Sequence, residues 1–232
     1  MLSLGQNLRY LYVDPILRML QDHHTKSANL HIGTKVDNQG FTNLFANANG
    51  PQTLVLMVDF VADSESIWSL LLPQLAPLRE AGLLTYFNGS SIVQAPITIV
   101  ASGNVPFHQV LERSTFRDIF FDAPLLEISS LPPQLSPQEL VYSFQNSYYA
   151  SANFDEAIGP VDLSGFSNEQ LSAVRLQVQR AHEHGLKLRY WGTPIRPIKL
   201  RNYVRRILFR EGVDIITINQ AERTSGRVSG EK

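Results

Sequence analysis

Arg189-Tyr190-Trp191-Gly192-Thr193-Pro194 lies between two strong helical patterns and is typical of a short buried strand that ends on a large aromatic and then turns. The same arrangement recurs upstream at Leu56-Met57-Val58-Asp59 and at Phe120-Phe121-Asp122-Ala123-Pro124, where an apolar run ends in a carboxylate. Barrels built from β/α units bind their ligands at the C-terminal ends of such strands. We therefore expect a functional site at these three strand ends.

Strand and helix patterns alternate along most of the chain. The run Leu54–Val58 is apolar without alternation, as in a parallel strand that is buried on both faces. Further strands are predicted at residues 97–100, 119–121, 148–152, 188–191 and 213–218, with helices between most of them. This order predicts an α/β fold of parallel β/α units with about six strands. A barrel of eight units needs about 250 residues, and the chain has 232.

Several helix boundaries carry local signals. Asp14-Pro15 starts a helix, because Asp caps the N-terminus and Pro suits the first turn. The helical pattern that ends near Gly82 contains Pro73 and Pro77, which predict a kink or break. Residues 84–93 predict a small hairpin around Asn88-Gly89. Ser167-Asn168-Glu169-Gln170 is a capping box that opens a helix running to Gly185.

Composition excludes several classes of protein. The formal net charge is -1 and no polybasic run is apparent, so neither a nucleic acid nor an anionic membrane is indicated. The chain has no cysteine, so it has no thiol nucleophile, and zinc would need His and carboxylate ligands alone. No apolar run is long enough to cross a membrane, and the first residues do not resemble a signal peptide. The compartment stays open.

The candidate site residues each have two interpretations. Asp59 either binds Mg²⁺ or Ca²⁺ through its carboxylate or caps the loop that follows its strand, and Asp122 has the same ambiguity. Trp191 either lines a pocket, with Tyr190 beside it, or packs in the core. The histidine positions have no metal-site spacing, and Arg201, Arg205 and Arg206 are interpreted as one solvated helix face. No nucleophile elbow, zinc-protease, Walker or dinucleotide-binding motif is present.

An ordered set of segments resembles the fungal family called altered inheritance of mitochondria protein 6. That family is akin to the phospholipase-C-like and glycerophosphodiester phosphodiesterases. The segments that carry the resemblance are Leu11–Leu17, Leu56–Asp59, Leu75–Gly82, Phe120–Leu125, Ala181–Leu186, Arg189–Pro194 and Arg201–Val204. Together they extend from Leu11 to about Gln220 in the family's order.

The resemblance implies a TIM-barrel-type phosphodiesterase. In such enzymes two histidines act as acid and base, and carboxylates hold a divalent cation such as Mg²⁺ or Ca²⁺. Asp59 matches a metal-ligand position, and Trp191 matches an aromatic that lines the site, beside which we place Tyr190 and Asp122 as pocket residues. Val61 stands where relatives often have Lys, and Asn219-Gln220-Ala221 lacks the usual acids.

The resemblance also implies an incomplete barrel. The family's histidines and Glu-x-Asp ligands precede the segment that here begins at Leu11, so we expect a chain that lacks the first two β/α units. Residues 1–222 are then a single partial barrel, and residues 223–232 a disordered polar tail. No residue of the chain is assigned as the acid or base, and we expect the chain to be inactive or nearly so.

Three hypotheses about function follow from these observations. The first is a phosphoric diester hydrolase acting on phosphodiesters or phospholipid-derived diesters. The second is a non-catalytic protein that retains a pocket for phosphate or a lipid headgroup. The third is an unrelated α/β domain.

Overall fold

The computed structural model describes residues 7–30, 52–61, 64–112, 116–131 and 141–217. Contacts group the chain into two compact units. Unit 1 comprises residues 1–122 and 142–148, and unit 2 comprises residues 123–141 and 149–232. The predicted tail at 223–232 and the sequence Asn219-Gln220-Ala221 lie outside the described residues.

Unit 1 contains most of the N-terminal elements. A π-helical turn, Arg9–Val13, leads into helix α1. The elements of this unit, in chain order, are α1 (Asp14–Leu30), β1 (Leu54–Phe60), α2 (Ser64–Gln74), α3 (Ala76–Glu80), β2 (Tyr86–Phe87), β3 (Ile92–Val93), β4 (Ile97–Gly103), α4 (Phe107–Leu111) and β5 (Ile119–Pro124), whose last two residues belong to unit 2.

Unit 2 contains the C-terminal elements. They are α5 (Leu125–Ser130), β6 (Ser147–Asn153), α6 (Phe154–Ile158), α7 (Asn168–Glu183), β7 (Lys187–Trp191), α8 (Ile198–Arg210) and β8 (Ile215–Ile216). The first two residues of β6 belong to unit 1. Among the described residues, no helix is both long and apolar enough to span a membrane.

The strands confirm the predicted α/β class. Their order is β1-β4-β5-β6-β7-β8, with β2 and β3 forming a separate antiparallel hairpin. The pairs β1–β4, β4–β5, β6–β7 and β7–β8 are all parallel. Helices connect these strands, as parallel pairing requires.

Each unit buries its own apolar side chains. In unit 1 the side chains that are at most 1% exposed include Leu75, Leu78, Leu83, Ile97, Ile99 and Phe120. In unit 2 the side chains with no exposure include Leu125, Ile128, Phe154, Leu188, Tyr190 and Val204. Since these residues come from both strands and helices, they fix the helices against the strands and thereby set the positions of the strand ends.

The structure confirms three local signals and changes two boundaries. The break at Pro73 and Pro77 is present, because α2 ends at Gln74 and α3 starts at Ala76. The hairpin around Asn88-Gly89 forms, and the Ser167 capping box is complete. Helix α1 runs to Leu30 rather than to about His24, since neither Gly nor Pro interrupts it. Strand β8 is shorter than predicted and pairs only through two residues with β7.

Candidate functional site

A row of polar side chains lies at the C-terminal ends of three neighbouring strands in unit 1. Asp59 of β1 is in register with Ser102 of β4. The register of β4 with β5 pairs Ala101 with Phe121, so the next residues along are Ser102 and Asp122. The Ser102 hydroxyl donates a hydrogen bond of 2.7 Å to Oδ2 of Asp122. We call Asp59, Ser102 and Asp122 the acid–hydroxyl row.

The local sequence explains why the row is accessible. In β4 and β5 the residues before the polar end are buried, and all but Thr98 are apolar. Leu54–Val58 of β1 are only half-buried, so the prediction that this strand is buried on both faces is wrong. Asp59 is exposed and Asp122 is half-buried. The hydrogen bond from Ser102 gives one oxygen of Asp122 a fixed partner. The row thus presents two carboxylates to a ligand, one of them oriented by a neighbouring hydroxyl.

The chain segment after β4 holds the end of β1 in place. Gly103 has a positive φ of 76°, and its backbone approaches both the Asp59 carboxylate and the Phe60 carbonyl. The next residue, Asn104, donates its backbone N–H to the Phe60 oxygen at 2.8 Å. This contact fixes the backbone on which Asp59 is mounted.

The row alone does not amount to a complete metal site. Among the described residues, no group of three His, Cys, Asp or Glu side chains is arranged to hold a metal ion. Mg²⁺ and Ca²⁺ usually take six or more oxygen ligands, often with water among them. Asp59 can therefore supply one ligand to such an ion, but the described residues do not supply the full set of ligands.

The histidines with described side chains make contacts of their own. Nε2 of His108 lies 3.5 Å from Glu65, and Nε2 of His182 lies 2.9 Å from Asp214. His184 is buried. The side chains of the other three histidines, at 23, 24 and 31, lie outside the description.

Unit 2 places Trp191 and Tyr190 on opposite faces of β7. Trp191 is 40% exposed and pairs in register with Asn153. Tyr190 has no exposure, and its hydroxyl donates a 2.6 Å hydrogen bond to Gln177. Its ring meets Phe154 edge-on at 5.7 Å. Because side chains alternate along a strand, Tyr190 lies among core side chains, whereas Trp191 is exposed, as is Lys187 at the other end of β7.

Two polar residues in these strands had not been singled out from the sequence. Ser102 belongs to the acid–hydroxyl row. Arg189, in unit 2, donates from Nε to Thr217 at 2.8 Å and from Nη1 to Ser151 at 3.3 Å. Neither residue is a carboxylate or an aromatic. The available signal was a polar residue in or directly after an apolar strand.

The burial of Tyr190 leads to a testable expectation. Burial raises the pKa of its phenol, so the hydroxyl remains a donor throughout the working pH range. Tyr190→Phe leaves the Gln177 oxygen without this donor, and we expect a loss of about 1 to 3 kcal/mol in the free energy of unfolding. Denaturant titration measures this loss. A variant of wild-type stability with impaired ligand binding would instead place Tyr190 in a binding site.

Comparisons with known proteins give the family. Residues 1–122 match the model of the AIM6-like phosphodiesterase domain. The altered inheritance of mitochondria protein 6 homolog of Arthroderma benhamiae is 31% identical over 229 residues, covering 97% of this chain and 67% of that protein. The proteins of that name from Eremothecium gossypii and Lachancea thermotolerans are 29% and 27% identical and are covered over 56% and 53% of their lengths.

The similarity to these relatives extends over nearly the whole of this chain but not over the whole of theirs. The chain spans between about half and two thirds of the length of the three relatives. No solved structure matches it. The residues that match the family model, 1–122, include all three members of the acid–hydroxyl row. The chain belongs to the family of AIM6-like phosphodiesterase domains.

Proposed function

We propose that the acid–hydroxyl row forms part of the site at which a phosphoric diester, in particular one derived from a phospholipid, is bound for hydrolysis. The observation that carries this proposal is the coincidence of two independent features. The family match covers residues 1–122, and the row is built within that range from the ends of three parallel strands. Such strand ends are the usual ligand-binding edge of β/α proteins.

Charge argues for a divalent cation in this site. A phosphodiester is an anion, and two carboxylates repel it unless a cation lies between them and the phosphate. We infer that Asp59, the exposed carboxylate, contributes one ligand to Mg²⁺ or Ca²⁺. Since the described residues hold no group of three suitable ligands, the remaining ligands must come from elsewhere. The cation, when bound, would neutralise the phosphate charge.

Acid–base catalysis is the part of the reaction that the described residues do not supply. Hydrolysis adds water to phosphorus and expels one ester oxygen as an alcohol, so a proton must leave the water and another must reach the leaving group. His108 and His182 are paired with Glu65 and Asp214 rather than with any member of the row. We therefore propose that this chain binds the diester but hydrolyses it little by itself.

A binding measurement on the wild type and on Asp59→Asn, and a turnover measurement on the wild type, test this proposal. In the presence of Mg²⁺ we expect calorimetry to detect binding of glycerophosphocholine, and Asp59→Asn to weaken it about tenfold or more, since a charged ligand is lost. Turnover of bis-p-nitrophenyl phosphate by the wild-type chain is expected to stay near the uncatalysed rate. Asp22→Asn is the matched control, because Asp22 is an exposed carboxylate on α1.

Each alternative result has a definite meaning. If glycerophosphocholine does not bind with or without Mg²⁺, or binds equally to the wild type and to Asp59→Asn, the acid–hydroxyl row is not part of the diester site. Rapid Mg²⁺-dependent turnover that Asp59→Asn abolishes would show that the chain holds a working site and that the expected inactivity is wrong.

A second candidate function is binding without catalysis, in which a phosphate or a lipid headgroup occupies the same row. The pairing of His108 with Glu65 and of His182 with Asp214, away from the row, favours this second function. The homolog from Arthroderma benhamiae, assayed in parallel, separates the two proposals. Turnover by that protein but not by this chain would favour hydrolysis that needs further residues. Absence of turnover in both, with binding retained in both, would favour the binding protein.

A further inference from the structure

Helix α8 concentrates positive charge in unit 2. Its thirteen residues, Ile198-Lys199-Leu200-Arg201-Asn202-Tyr203-Val204-Arg205-Arg206-Ile207-Leu208-Phe209-Arg210, include five cations and no acid. The net charge of the whole chain, -1, hides this concentration. The cations do not form one continuous basic run, because other residues separate most of them in the sequence.

The apolar residues of α8 fall into two groups. Leu200, Val204, Ile207 and Leu208 are buried and fix one face of the helix to the core. Ile198 and Phe209 are instead 61% and 55% exposed. At 100° per residue these two side chains project within about 20° of each other and lie about 16 Å apart along the helix axis. They mark the centre of the face that points away from the core.

The cations flank these two exposed side chains on both sides. By the same helical geometry, Lys199, Arg206 and Arg210 follow one side of the line from Ile198 to Phe209, and Arg201 and Arg205 follow the other. We call this surface, made of Ile198, Phe209 and the five cations, the α8 outer face.

Most of this charge has no acidic partner in the described part of the chain. Arg210 shares Glu211 with Arg175, at 3.0 and 2.7 Å. Arg201 donates to the neutral Asn202 side chain at 3.1 Å, and Arg206 lies over the Tyr203 ring at 5.9 Å. No ion pair with a described carboxylate is formed by Lys199, Arg201, Arg205 or Arg206.

Arg205 is repelled by a second cation of the α8 outer face. Its Nε is buried and has no hydrogen-bond partner among the described residues. Burial, followed by repulsion from the nearby Arg201, lowers the pKa of the Arg205 guanidinium. An anionic partner on this face would relieve the repulsion between the two arginines.

We propose that the α8 outer face docks on an anionic phospholipid surface, with Ile198 and Phe209 entering the boundary between headgroups and acyl chains and the cations contacting lipid phosphates. Cations that flank exposed apolar side chains are typical of helices that lie in the membrane interface. A nucleic acid backbone would attract the cations but would offer no apolar layer in which Ile198 could be buried. This proposal does not depend on the proposed function, since it concerns a different surface.

Flotation of the full chain with lipid vesicles tests the proposal. We expect the chain to bind phosphatidylcholine vesicles that contain about 30% phosphatidylserine, to bind pure phosphatidylcholine weakly, and to dissociate as salt is raised. Lys199→Glu with Arg206→Glu should weaken binding more than about tenfold, because each cation near such a surface accounts for about fivefold. Phe209→Ser should weaken it by about tenfold.

Controls keep each result interpretable. Arg18→Glu changes the charge of an exposed arginine on α1, and we expect it to bind like the wild type. Circular dichroism checks that each variant is folded, which is expected because the altered side chains are exposed. Equal binding to both kinds of vesicle, or no binding, would overturn the proposal. So would binding that tolerates Phe209→Ser and is matched by polyuridylate, since that pattern would indicate a surface for nucleic acid.

Discussion

Arg79→Met is expected to lower the free energy of unfolding by about 3 to 5 kcal/mol. Arg79 of α3 holds Asp118, just before β5, by two hydrogen bonds: Nε donates to Oδ2, and Nη2 donates to Oδ1 at 3.2 Å. The Asp118 side chain is only 4% exposed. Methionine fills similar space but leaves this carboxylate buried without its counter-charge, which is the costly case. Denaturant titration gives the change directly.

Two further variants separate this charge effect from a loss of packing. Arg79→Met combined with Asp118→Leu should recover most of the lost stability, since an apolar pair often replaces a buried ion pair at little cost. An open pocket of about 90 Å³ borders Asp118. Arg9→Met removes the exposed partner of Asp14 and should change stability by less than about 0.5 kcal/mol. A double variant no more stable than Arg79→Met alone would assign the loss to packing.

The sequence predicted the strands and the helix boundaries well where local physics decides them. The run Leu54–Val58 forms β1 in parallel register with Ile97–Ala101, although its side chains are half-buried rather than buried on both faces. Pro77, in the first turn of α3, follows the predicted break because proline lacks the N–H that a continuous helix would need there, whereas Pro73 lies within the last turn of α2. Ser167 starts α7 because its hydroxyl accepts from the Gln170 N–H, an interaction that four consecutive residues encode.

The site was harder to predict because it depends on register and on the faces of strands. Asp59 and Asp122 belong to one row only because β4 lies between β1 and β5 with Ser102 beside both. Tyr190 and Trp191 are adjacent in sequence, yet one is in the core and the other is exposed. The short helices α5 and α6 carry too few turns for a periodic signal and were not predicted.

Gly103→Ala is expected to lower the free energy of unfolding by about 3 kcal/mol or more. Its φ of 76° is unfavourable for any residue with a Cβ, and an added Cβ would lie 2.7 Å from the Phe60 carbonyl oxygen and closer still to the Asp59 carboxylate. The carbonyl cannot easily retreat, because it accepts the Asn104 N–H and Phe60 is only 1% exposed. Thermal and denaturant unfolding measure the loss.

Gly82→Ala is the matched control for this substitution. Gly82 also has a positive φ, 67°, but an added Cβ would meet nothing within 4 Å, so only the backbone strain of about 1 to 2 kcal/mol applies. Equal losses in the two variants would show that the close approach at Gly103 does not matter.

Because the clash at Gly103 displaces Asp59, Gly103→Ala should also lose Mg²⁺-dependent diester binding, whereas Gly82→Ala should keep it. If folded Gly103→Ala still binds glycerophosphocholine, binding does not depend on the position of Asp59. That result would count against the acid–hydroxyl row as the diester site.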